Sequence, residues 1–338
     1  MKERISVILF IIGIMVCCNN PPAENTINIS KGDSISIKSI SRNIRNNPKN
    51  AELFSKRATM YWQMHRTDSA INDASIAYRL DSLNEKYALE YAEYLFKSVK
   101  TNDAISLLIR YLNNKKERVA VVTRIAQYYL YLKDYRQAKE YIDKAFLINS
   151  QFPEAHFIKG MFLVENNKPN DAIKAFQSVI MYDPNYYEAY IMLGLLSQEL
   201  NDSLALQYYK TASQLKPNEP QPYYNMGYYY QENGKYDKAF EMYNYILRHV
   251  DKKYSNAYFN QGYIYMRYLK NYQKALAYFD SVLFIEPDRV EAVYNKGYCF
   301  EMMNDYTSAR SMFIKAKSII PNYQLAIDGL NRLDKKTH

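Results

Sequence analysis

Between residues 51 and 323 the apolar positions fall in paired stretches of about a dozen residues, each pair split by a short polar break. The pair returns with a period near 34, most plainly in YYNMGYYYQENGKYDKAFEMYNYIL, AYFNQGYIYMRYLKNYQKALAYFDSVLFIEPD and AVYNKGYCFEMMNDYTSARSMFIKAKSIIPN. Each stretch is amphipathic at helical spacing, so each pair predicts a helical hairpin, with helix A followed by helix B. The frames are 51–84, 85–118, 119–152, 153–186, 187–219, 220–254, 255–289 and 290–323. The fifth is one residue short at its inter-helix turn and the seventh is one residue long near Asn271, where a connection tolerates length change.

Small residues recur at two places in every frame. The eighth position holds Ala58, Ala92, Ala126, Gly160, Gly194, Gly227, Gly262 and Gly297; the twentieth holds Ala70, Ala104, Ala138, Ala172, Ala205, Ala239, Ala275 and Ala309. Glycine costs a helix interior about 1 kcal/mol against alanine, so its use here predicts close packing of helix A on helix B at these two positions. Larger side chains surround that contact at the twenty-fourth position: Leu108, Ile142, Phe176, Tyr209, Tyr243, Phe279 and Phe313, with Ala74 in the first frame. Pro184, Pro217, Pro287 and Pro321 then stop helix B.

This set of positions resembles the tetratricopeptide repeat (TPR), strongly over 153–323 and less so in the first three frames. The resemblance implies an all-α fold, a right-handed superhelical solenoid of about eight TPR hairpins with a C-terminal capping helix. A solenoid needs solvated ends. Residues 34–50 are expected to form an N-terminal capping half-repeat. Residues 324–338 are expected to form the final capping helix and tail, resting on repeat eight through Leu325, Ala326, Leu330 and Leu333.

The first 18 residues, MKERISVILFIIGIMVCC, pattern differently: charged Lys2 and Arg4 precede an apolar run from Ile5 to Val16. A helix of that length spans roughly 18 Å, short of the roughly 30 Å hydrocarbon core, so it reads as a signal peptide. The IMVCCNN stretch resembles the box of a bacterial lipoprotein signal, which implies lipid attachment at Cys18, with small Cys17 before the cut. The third cysteine, Cys299, is then a lone thiol with no disulfide partner and the expected character of a small buried hydrophobe. Residues 19–33, polar and carrying two prolines, read as a flexible tether.

Composition narrows the functional classes. With 48% hydrophobic and 15% aromatic residues the chain is expected to fold, and its 9 Gly and 11 Pro favour helices over Gly-lined cofactor loops. The formal charge of +9 is spread along the chain without a dense basic run, and export argues against nucleic acid. His65, His156, His249 and His338 share no ligand spacing, and there is no phosphate loop or nucleophile elbow. No cofactor, metal site or small-molecule substrate is expected, and an enzyme is disfavoured.

In the repeat family, helix A positions 2, 5, 9, 12 and 13 line a concave groove that holds a peptide or a partner's helix. Carried over, positions 5 and 9 are Phe157 and Met161, Ile191 and Leu195, Tyr224 and Tyr228, Phe259 and Tyr263, Tyr294 and Tyr298. They are expected to stand apart from the hairpin core as an apolar, aromatic stripe. The same set contributes Glu52, Glu93, Glu154, Glu165, Glu188, Glu199, Glu232, Glu291 and Glu301 against Lys86, Lys97 and Arg267, so the groove is expected to be acidic and its ligand to combine Lys or Arg with apolar anchors. The Lys and Asn pair by which related repeats clamp acidic chaperone tails is missing from positions 5 and 9.

The resulting expectation is a non-enzymatic, lipid-anchored scaffold of the bacterial envelope, with the outer membrane favoured, serving an envelope or secretion complex. The alternatives are a nutrient- or glycan-capture lipoprotein partnered with an outer-membrane transporter, against which the back-to-back repeats argue, and a structural spacer.

Overall fold

The computed structural model describes residues 36–113 and 118–337. The expected signal peptide, Cys18 and the tether of residues 19–33 lie outside the described residues. Among the described residues every regular element is a helix. A single helix, α1 (Ile37–Asn46), precedes the hairpins and buries Ile40 and Ile44 against Phe54, Ala77 and Tyr87.

The hairpins follow in chain order: α2 (Ala51–Gln63) with α3 (Thr67–Leu80), α4 (Glu85–Lys97) with α5 (Thr101–Asn113), α6 (Val119–Tyr131) with α7 (Tyr135–Ile148), and α8 (Pro153–Glu165) with α9 (Pro169–Tyr182). Then come α10 (Tyr187–Glu199) with α11 (Ala205–Leu215), α12 (Pro220–Glu232) with α13 (Tyr236–Tyr245), α14 (Ser255–Arg267) with α15 (Tyr272–Ile285), and α16 (Val290–Met302) with α17 (Tyr306–Ile319). A last helix, α18 (Gln324–Thr337), packs on α17 and α16. The chain divides between Ala189 and Tyr190 into two compact units.

One backbone device recurs in all eight hairpins. His65, Val99, Lys133, Asn167, Asn201, Gly234, Lys270 and Asn304 have positive φ, and each ends the link from helix A. A left-handed residue there lets late carbonyls of helix A accept backbone N–H groups of the turn, as Tyr61 does from Arg66 (2.8 Å) and Leu163 from Lys168 (2.9 Å). The extra residue of the seventh repeat falls between Arg267 and Lys270. The missing residue of the fifth falls after Asn201; α11 begins later than the other B helices and, at 11 residues, is shorter than all of them except α13. The sixth repeat carries an extra residue as well, taken up in a π turn over Ile246–Val250, where the Asp251 N–H donates to the Ile246 carbonyl.

The small residues do bring the helices together, but the partner of the eighth position differs from the one expected. A Cβ on Gly160, Gly227, Gly262 or Gly297 would lie 2.6, 2.6, 2.9 or 2.7 Å from the ring of Phe176, Tyr243, Phe279 or Phe313. These rings occupy the twenty-fourth position, not the twentieth. Repeats whose twenty-fourth residue is Ala74, Leu108 or Ile142 have alanine at the eighth, because no ring fills the space. Gly194 stands in the same relation to Tyr209.

Candidate functional site

Positions 5 and 9, expected to stand clear of the core, divide into two kinds. Position 5 belongs to the hairpin. Phe157 is 1% exposed and meets the Phe176 ring at 5.3 Å and the Tyr186 ring at 5.1 Å. Tyr224 lies against Tyr243 and Tyr254, and Tyr294 against Phe313 and Tyr323. Phe259 likewise meets Phe279 at 5.7 Å. Each ring seals its hairpin against the residue that opens the next one. Met161 and Ile191 are buried too, so the expected stripe is closed at those positions. Leu195, Tyr228, Tyr263 and Tyr298 stay half-buried and keep open surface.

The expectation of an acidic face also needs correcting, because several carboxylates are neutralised across repeats. Glu52 accepts from Lys86 (3.0 Å) and the Tyr87 hydroxyl (3.0 Å). Glu93 pairs with Arg124 (2.7 Å) and Lys97 (3.2 Å). Glu301, 3% exposed, is gripped by Arg332 through bonds of 3.1 and 2.8 Å and by Lys336 at 3.3 Å. Burial alone would raise the Glu301 carboxyl, but these two cations outweigh it and hold it below the usual carboxylate range. Arg124, Arg332 and Lys336 lie outside the five groove positions, so a position count misses them. Glu165 accepts from the Tyr135 hydroxyl (3.1 Å); Glu165, Glu199, Glu232 and Glu291 are exposed, and Glu188 is half-buried.

In the C-terminal unit the open residues form a cleft of about 380 Å³ between α14, α16 and the start of α18. Its lining includes Phe259, Tyr263, Tyr294 and Tyr298 from the expected set, joined by Met266, Arg267, Glu291, Asn295, Tyr323 and Leu325. Leu325, expected to hold the capping helix, is instead 49% exposed at the cleft mouth; Ala326 and Leu333, both 0% exposed, make that contact. Burial lifts the Tyr294 and Tyr323 hydroxyls above the ordinary tyrosine range, so both stay neutral at physiological pH. Arg289 stacks 4.4 Å from the Phe259 centroid, so this part of the unit carries both signs of charge. A volume of this size with aromatic walls and few charges suits one bulky apolar side chain with its neighbours.

In the N-terminal unit, a second recess of about 360 Å³ is lined by His156, Lys159, Leu163, Asp171, Lys174, Ala175 and Ser178, none from the expected groove set. His156 is structural there: its Nε2 is 2.8 Å from the Ser150 carbonyl, and its ring packs between Phe146 and Tyr182. Cys299 is wholly buried and its thiol is pushed up to about 12 by burial, so it acts as a small hydrophobe. Among the described residues no group of His, Cys, Asp and Glu could hold a metal ion, and no helix is long and apolar enough to cross a membrane.

Three family models, each described as a tetratricopeptide repeat, match residues 119–152, 208–241 and 267–322. The chain carries tetratricopeptide repeats. The repeat-bearing C-terminal part of a TPR protein from Cytophaga hutchinsonii is similar in structure at 20% identity and a TM-score of 0.57, over 71% of this chain and 98% of that one. The pilF protein of Pseudomonas aeruginosa is similar at 18% identity and a TM-score of 0.52, over 63% of this chain and 97% of that one. Anaphase-promoting complex subunit 6 of Arabidopsis thaliana is 19% identical over 287 residues, 83% of this chain and 53% of that protein. The chain spans between 13% and 53% of the length of the curated relatives it matches. These likenesses establish the fold. TPR arrays are protein-interaction scaffolds.

Proposed function

We propose that this chain is a lipid-anchored scaffold of the bacterial envelope, held by Cys18, which captures a segment of a partner protein in the cleft of its C-terminal unit. The observation that carries the reading is the cleft itself: Tyr263 and Tyr298 sit half-buried on adjacent A helices, resting on the core around Phe279 and Cys299 while part of each ring lines the cleft. Arg267 and Glu291 on its wall favour a segment with one apolar anchor flanked by a group of each sign. This adds an acidic group to the expected ligand, which combined Lys or Arg with apolar anchors. A partner taking part in assembly or secretion at the envelope fits an anchored, non-enzymatic array.

The test compares cells expressing wild type with cells expressing Tyr263→Ala/Tyr298→Ala at equal abundance, after crosslinking and purification. Selective loss of particular partners supports the cleft as the working surface. An unchanged partner set refutes it. Cys18→Ala should separately abolish incorporation of labelled fatty acid into the protein, and undiminished incorporation would refute the anchor.

A further inference from the structure

The basic residues of the N-terminal cap, residues 34–50, are diluted by Ser and Asn in sequence, but the fold concentrates them. Between Asp33 and Glu52 there is no acidic residue, while Lys38, Arg42, Arg45 and Lys49 are all cationic. At about 100° per residue the first three fall on one face of α1, roughly opposite Ile40 and Ile44. The isoleucines are buried on the first hairpin, and all four cations are exposed.

The cap at the other end is the internal comparison. Any end helix must be polar outside, so solubility alone would account for charge on both. In α18, however, two of the three cations are matched: Arg332 and Lys336 hold Glu301, and the acidic Asp334 of the same helix pairs with Arg310. One cap is mixed in sign and cross-linked to its neighbour; the other is of one sign.

We propose that α1 is a docking surface for an anionic lipid bilayer, seating the N-terminal end of the array on the membrane. Phosphate headgroups attract juxtamembrane Lys and Arg, each charge changing the partition by about fivefold. The membrane is favoured over nucleic acid because the apolar run of residues 5–16 already directs this end of the chain to a bilayer, and α1 has no aromatic residue on which a base could stack. The inference therefore rests on the anchored part of the proposed function and is independent of the cleft.

The experiment measures partition of the full chain between vesicles of pure phosphatidylcholine and vesicles containing phosphatidylglycerol, at low salt. Wild type is compared with Lys38→Gln/Arg42→Gln/Arg45→Gln and with Lys252→Gln/Lys253→Gln/Lys315→Gln, a variant of equal charge altered elsewhere on the exposed surface. Loss of three charges at α1 should lower binding to anionic vesicles on the order of 100-fold and leave neutral vesicles unchanged, while the second variant loses far less. Equal losses in the two variants, or none in either, would overturn the proposal. So would single-stranded oligonucleotide displacing the wild type from anionic vesicles through these same three residues. Fatty-acid labelling of wild type against Cys18→Ala in cells decides the lipid anchor separately, so the two failures are distinguishable.

Discussion

The Cβ that Gly160 lacks would sit 2.6 Å from the Phe176 ring, and that ring is wholly buried. The pair behaves as one unit of volume: ring with glycine here, Leu108 with Ala92 in the second repeat. Gly160→Ala should therefore destabilise the N-terminal unit by about 2 kcal/mol through overpacking. In a Phe176→Leu background the same change should cost far less, giving a coupling of at least about 1 kcal/mol in a denaturation cycle. Additive losses would show that the two positions do not share the space.

Val99 is a β-branched residue at φ 62°, in the link where other repeats place Asn167, Asn201, Gly234 and Asn304. Its side chain is 80% exposed and gains nothing from burial. Val99→Gly should raise stability by about 1 kcal/mol, read as a higher Tm. An unchanged or lower Tm would mean that this link carries no strain.

Gln261 is wholly buried in α14, and neither its amide nitrogen nor its amide oxygen has a hydrogen-bond partner. Replacing it by the similarly shaped Met removes two desolvated polar atoms, so Gln261→Met should stabilise the C-terminal unit by about 1–3 kcal/mol. Lower stability in urea would instead point to a polar partner for the amide.

Acid should loosen the C-terminal cap. The folded-state value of Glu301 is lowered, so its contribution is complete above the ordinary glutamate value of about 4.3 and is lost as pH falls through the lowered value. Glu301→Gln should cost about 2 kcal/mol at neutral pH, at the modest end for a buried pair because Arg332 and Lys336 remain 41% and 44% exposed. The gap between variant and wild type should close in acid; a constant gap down to pH ~2 would refute the linkage.

The hairpin and its repetition were legible in the residues, because helical periodicity, Gly or Ala at the eighth and twentieth positions, and proline after helix B are local signals. The connection lengths were legible too, apart from the π turn at Ile246–Val250, whose extra residue is absorbed within a helix without leaving a polar break. The candidate site was only half legible. Helix geometry puts positions 5 and 9 on one face, yet Phe157 and Tyr294 close hairpins while Tyr263 and Tyr298 stay partly open.

Sequence by itself determined what each repeat is, because a helical hairpin is specified by residues within about 34 positions of one another. Tertiary structure decided what each repeat leaves uncovered. Arg124 reaches Glu93 and Arg332 reaches Glu301 from 31 residues away, turning expected acidic surface into ion pairs. The cleft forms where the last hairpin meets a single helix, with Leu325 left at its mouth. Charge pairing and exposure depend on which surfaces stacking brings together, and no one repeat encodes its neighbour's contribution.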